Sequence, residues 1–233
     1  MASSTYIARR QQLETYFDRT AVEAWKRLTS DAPVGGIRAT VRAGRDSMRA
    51  KLLSWLPEDL TGARILDAGC GTGALAIEAA KRGADVLAID ISPTLVDLAR
   101  ERAPADLGPG RVTFVSGDML DPAWGDFDHV VAMDSLIHYD GADIAQTLAS
   151  LAKRTRGSMV FTVAPRTVAL TIMLAMGRLF PRGDRSPAIA PISQRTLWRH
   201  ARAQPVLLPW RLGRSHRVSR GFYISQALEI VAP

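Results

Sequence analysis

A chain of 233 residues, 47% hydrophobic and 23% charged, is long enough for one large domain with a filled core and polar enough to stay in solution. A single cysteine, Cys70, excludes an internal disulfide and a cysteine-ligated metal cluster, and the four histidines lack the short spacings of a zinc site. The net charge of +7 is uneven: residues 61–165 hold nine Lys/Arg against fourteen Asp/Glu, whereas residues 166–233 hold eleven arginines against Asp184 and Glu229. That asymmetry points to an anionic ligand or surface at the arginine-rich end. Nucleic acid is the first alternative, but no nucleic-acid-binding signature accompanies the arginines; an ordinary solvated surface is the other. The start carries no apolar signal-peptide run, and the longest uncharged apolar stretch, Thr167–Gly177, is about half of what a bilayer needs. A cytoplasmic protein is expected, one that at most touches a membrane surface.

In chain order, residues 1–60 read as a helical cap. Leu13, Tyr16, Phe17, Thr20, Ala24 and Leu28 approximate a three-to-four spacing, Asp31–Gly36 is a loop, and residues 38–56 predict a second amphipathic helix ending before Pro57. From residue 61 strands alternate with helices. Arg64–Asp67 is a strand entering a glycine-rich turn, Leu75–Arg82 a helix stopped by Gly83, and Val86–Asp90 a strand ending in an acid. Ser92-Pro93 is a capping hydroxyl before a first-turn proline. Val112–Val115, His129–Met133 and Met159–Val163 are further strands, with a helix over Ile144–Lys153. Arg195–Ala203 predicts the last helix, and Val206–Leu212 with Gly221–Ile230 an edge hairpin joined by a tight polar connection. The expected fold is α/β, a doubly wound, mostly parallel seven-stranded sheet closed by an antiparallel pair, with an insertion near 166–190.

The sharpest motif is Asp67-Ala68-Gly69-Cys70-Gly71-Thr72-Gly73 between strand and helix. Its glycines bring backbone against a ligand, which alone fits several nucleotide-binding folds. Asp67, at the strand end, is placed for the ammonium of an amino-acid-like ligand, and Asp90 for ribose hydroxyls, with Ile91 beside it. Gly117, Asp118 and Met119 follow the third strand, where an adenine would lie. A dinucleotide site explains Asp90 but not Asp67 or Gly117-Asp118. Cys70 reads as a compact filler more than a nucleophile.

Ligands of doubly wound sheets sit outside the carboxyl ends of the strands, so Asp134–Tyr139 faces the reacting group. His138 there orients an acceptor or acts as its base, or else caps the next helix. Phe17 reads as core; Tyr16 is core or part of a lid. Arg166, Arg178, Arg182 and Arg185 flank an apolar run and suit a large flat molecule bearing carboxylates, or decorate a solvated helix.

The glycine motif resembles that of class I methyltransferases. Four segments, Tyr16–Ser30, Asp134–Tyr139, Phe161–Arg166 and Gly177–Pro187, together resemble the bacterial magnesium-protoporphyrin IX methyltransferases. The resemblance implies S-adenosylmethionine as methyl donor, with Asp67 at its methionine part, Asp90 on the ribose and Asp118 near adenine. It implies one porphyrin propionate as acceptor, giving a monomethyl ester and S-adenosylhomocysteine, in bacteriochlorophyll synthesis. Tyr16 and His138 become the residues at the methyl-transfer site, magnesium enters only within the porphyrin, and the large subunit of magnesium chelatase and loose membrane contact are implied associations.

Overall fold

Short Val-, Ile- and Leu-rich runs separated by Ala-rich helical segments build the sheet. The computed structural model describes residues 3–20, 29, 35–167, 170–171 and 188–233, with only the backbone of 19 and 20. Its strands are β1 (Arg64–Ala68), β2 (Asp85–Asp90), β3 (Arg111–Ser116), β4 (Phe127–Ala132), β5 (Thr155–Val163), β6 (Arg211–Arg220) and β7 (Tyr223–Val231). They form one seven-stranded sheet in the order β3-β2-β1-β4-β5-β7-β6. The first five are parallel, and β7 runs antiparallel to both β5 and β6. The order reverses between β1 and β4, the position where doubly wound sheets open a crevice.

Helices are α1 (Ser4–Thr15), α2 (Gly36–Leu53), α3 (Ala74–Lys81), α4 (Pro93–Arg102), α5 (Gly141–Ala152) and α6 (Gln194–Arg202). Side chains alternate along each strand, so the sheet feeds two cores. Leu66, Leu87 and Ile89 join Tyr6, Leu13, Ile144 and Leu197 on one face. Ile65, Val86 and Ala88 join Met48, Leu52, Ala79 and Val96 on the other. Burial on both faces is why the parallel strands read as unbroken apolar runs.

Polar ties fix the N-terminal elements over the crevice. Ser3 and Thr5 hydroxyls donate to Asp143 at the start of α5. Tyr6 Oη and Arg10 Nη1 donate to the two Asp118 oxygens at 2.9 and 2.6 Å, and the Tyr6 ring stacks on Tyr139 at 5.0 Å. Beyond α1 the chain widens into a π-helical turn, Tyr16–Thr20, whose Asp18 accepts from the Thr94 hydroxyl and amide, a cap on the first turn of α4.

Two elements differ from expectation, the first for a clear physical reason. The last hairpin is displaced: Pro205–Leu207 is a 3-10 turn, and β6 runs through the polar stretch that reads as a connection. On this edge strand Val218 is the buried residue, so hydrophobic alternation is lost. A bulge between Leu212 and Ser215, where the buried carboxylate of Glu229 takes the Arg214 amide and guanidinium, further breaks the period. The second helix starts and stops a little earlier than its apolar pattern, at Gly36 and Leu53. The expected helical continuation through Ala24 and Leu28 lies outside the described residues, as does most of the 166–190 insertion.

Candidate active site

A cavity of about 370 Å³ opens at the carboxyl ends of β1, β2 and β4, within the range of small-molecule sites. Its floor is the turn after β1. Gly69 and Gly73 have φ of 86° and 79°, and a Cβ at either would lie within 2.6 Å of Ser135 or Phe114, so the turn needs glycine twice over. Gly71, also at positive φ, would meet nothing within 4 Å and presents bare backbone to the cavity.

Asp67 is 1% exposed, and its Oδ2 has no hydrogen-bond partner among the described residues. Burial, then repulsion from Asp90, pushes its carboxyl up to about 7 against one backbone N–H from Ala76. A buried acceptor lacking a partner is costly, and a ligand ammonium would satisfy it. Asp90 accepts from the Gly71 amide at 2.8 Å and the Ser92 amide at 3.0 Å. It therefore pins the turn to β2 while each oxygen retains a second lone pair. Burial raises its carboxyl, and those amides oppose the rise. Burial, with Asp90 and Asp67 nearby, pushes the Cys70 thiol well up, which keeps it protonated and un-nucleophilic at neutral pH.

Ile91, Gly117, Met119 and Cys70 share this wall with Asp67, Gly69, Gly71 and Asp90. Gly73 supports the turn from behind. Asp118, expected near an adenine, is not one of the lining residues; its carboxylate is taken by Tyr6, Arg10 and the Leu120 amide. From α2, Arg42, Arg45, Asp46 and Arg49 also face the cavity. Composition hides them, because arginines at three- and four-residue spacing read as a solvated helix face.

A second, more apolar cavity of about 220 Å³ adjoins the first, lined by Val41, Ile137, Leu170, Ile189, Phe222 and Ile224, among others. Phe17, Arg45, Asp134 and His138 belong to both walls. His138 is buried in the 3-10 turn after β4, its Nδ1 3.5 Å from the Ala188 carbonyl and its ring edge-on to Phe17 at 6.0 Å. Phe17, expected as core, does pack against the core and also forms part of both walls. Tyr16 lines neither wall; its ring packs edge-on against Phe17 at 5.2 Å. Arg166 is exposed and on neither wall, while Arg178, Arg182 and Arg185 lie outside the described residues.

Asp134 opens the segment expected to face the reacting group, but sequence reasoning assigns its carboxylate no role of its own. It has a φ of 56°, the only positive value at a non-glycine among the described residues. That conformation, tolerated by Asp, turns its carboxylate toward Tyr223, Ser225 and Thr162 hydroxyls at 3.0, 3.4 and 3.2 Å and Arg45 Nη1 at 2.8 Å.

Comparison with known proteins places this geometry. Residues 132–232 match a family model described as the magnesium-protoporphyrin IX methyltransferase C-terminus, and residues 65–157 match a methyltransferase domain. The chain is 53% identical over 227 residues to magnesium-protoporphyrin O-methyltransferase of Rhodobacter capsulatus, across 97% of this chain and 98% of that one. It is 33% identical to a ubiquinone biosynthesis O-methyltransferase of Xanthomonas oryzae, across 78% of this chain and 77% of that one. A solved structure of the Synechocystis magnesium protoporphyrin IX methyltransferase with bound SAH superposes with a TM-score of 0.81 at 28% identity, covering 96% of this chain and 100% of that one.

Proposed function

The chain belongs to the magnesium-protoporphyrin O-methyltransferase family, and we infer that it transfers a methyl group from S-adenosylmethionine to a propionate carboxylate of magnesium protoporphyrin IX. The observation that carries this reading is a cavity floored by two buried carboxylates that shares four wall residues with a smaller, more apolar cavity, in a chain alike from end to end to such an enzyme. S-adenosylmethionine supplies a methyl on a sulfonium: the acceptor oxygen's lone pair forms the new C–O bond as the C–S pair withdraws to sulfur.

In this reading Asp67 takes the amino group of the methionine part, and Asp90 the ribose hydroxyls. Gly117 and Met119 border the adenine, with Asp118 fixing α1 behind them. A carboxylate acceptor, with an ordinary pKa of about 4, is already ionised near pH 7, so these residues need move no proton. Their contribution is alignment and exclusion of water. His138 and Phe17 shape the passage, Tyr16 backs Phe17, and residues 1–60 act as the cap. A cavity of about 220 Å³ is too small to enclose a tetrapyrrole; it suits a propionate arm and the adjoining ring edge. The second propionate is then left outside, for Arg166, Arg178, Arg182 or Arg185 to pair with in this reading. Exposed Arg211 and Arg220, near exposed Leu212 and Phe222, give the chelatase subunit or an anionic membrane a surface to meet. No helix among the described residues is long and apolar enough to cross a membrane.

Methylation of a quinone-pathway hydroxyl is the second reading, favoured by the Xanthomonas likeness and by a histidine on the passage. Competition separates the two. Magnesium protoporphyrin should displace a phenolic acceptor, and His138→Ala should slow ester formation far less than ether formation. Preferred methylation of the phenol, abolished in His138→Ala, would reverse the assignment.

A further inference from the structure

Of the four residues common to both cavities, Arg45 alone carries a permanent positive charge. Its position is built in from two sides. The preceding residue, Gly44, lets α2 approach β7 so closely that a Cβ there would lie 2.5–2.7 Å from Tyr223 carbons. Asp134 then holds the guanidinium through Nη1 at 2.8 Å, with Arg45 22% and Asp134 7% exposed. The Asp134 carboxylate also takes three hydroxyls, from Tyr223, Ser225 and Thr162, so it stays hydrogen-bonded if the guanidinium turns. A buried ion pair that can exchange one carboxylate for another without leaving an uncompensated acid avoids the usual cost of breaking such a pair.

We propose that Arg45 is the specificity-determining receptor for the acceptor carboxylate, and that Asp134 is the positioning residue that presents it at the passage. The inference rests on the reading of the acceptor as a carboxylate and adds which side chain recognises it. Arg45 holds the oxygen that does not attack, which orients the other without a hydrogen bond that would weaken it as a nucleophile. A neutral ester or a phenol lacks the partner that Arg45 requires, so the charge selects as well as orients. Arg166 takes no part in this step, being exposed and away from both walls.

The test is fluorescence titration of the full-length protein, in the presence of S-adenosylhomocysteine, with magnesium protoporphyrin IX and with its dimethyl ester. Arg45→Met should weaken the diacid about 10- to 100-fold, the range of one charge-assisted hydrogen bond, and change the diester about twofold or less. Arg45→Lys, which keeps charge and fold but loses the planar fork, should fall between parent and Arg45→Met for the diacid alone. Asp134→Asn should raise KM for the diacid more than it lowers kcat. Equal weakening of diacid and diester in both Arg45 variants, or diacid binding unchanged in both, would overturn the proposal. Failure of the parent protein to form any labelled ester would instead overturn the carboxylate reading beneath it, and is scored separately.

Discussion

Asp67 stands under two opposed demands. Burial holds its folded carboxyl near 7 against an ordinary 3.8, so ionising it in the folded chain costs stability. Its contribution is fully present below about pH 4 and is lost as pH rises through 7, at about 1.4 kcal/mol per unit. Asp67→Asn should therefore raise Tm at pH 8 while leaving it nearly unchanged at pH 4, yet remove S-adenosylhomocysteine binding measured by calorimetry. In the parent, binding needs the ionised acid, so affinity should fall about tenfold per unit below pH 7, with one proton released. A pH-independent affinity would contradict the assignment of Asp67 to the ligand's ammonium. At this scale the glycine motif, Asp67 and Asp90 were legible because tight spacing constrains them to one turn. The Arg45–Asp134 pair was not: Asp134 reads only as part of the segment after β4, nothing local marks Arg45, and 89 residues separate the two until the sheet joins them.

Elements are tied together by single polar contacts and by close approach. Asp18, in the π-helical turn, caps α4 through Thr94, and Asp18→Ala should cost about 1 kcal/mol by urea unfolding, in line with other lost caps. Gly44 presses α2 against Tyr223. Gly44→Val should cost about 1–3 kcal/mol by overpacking and, by moving Arg45 away from Asp134, should weaken the porphyrin more than the cofactor product. Equal loss of both ligands would mean that the helix merely supports the fold. The parallel strands were readable as apolar runs between helices because both their faces are covered. β6 was not, since an exposed edge strand bearing Arg211, Arg214, Arg217 and Arg220, with a bulge at Gly213, has the composition of a loop.

In the whole molecule the donor side and the acceptor side come from different parts of the chain. The carboxyl ends of β1 and β2 make the donor site, and the acceptor cavity is assembled from α2, the turn after β4, and β7. The first is a property of the fold that many methyltransferases share; the second belongs to what has been added around it. Charge composition points to the arginine-rich end, most of whose insertion lies outside the described residues, whereas the arginine at the passage comes from the near-balanced first sixty residues. Net charge reports a bulk field, whereas the recognition proposed for Arg45 depends on one partly buried pair. The most direct measurement of the central claim is incubation with methyl-labelled S-adenosylmethionine and magnesium protoporphyrin IX, followed by mild alkaline hydrolysis. The account predicts one label per porphyrin, released as methanol by base. Label that resists alkali, or an unlabelled porphyrin while the protein demonstrably binds the donor, would contradict it.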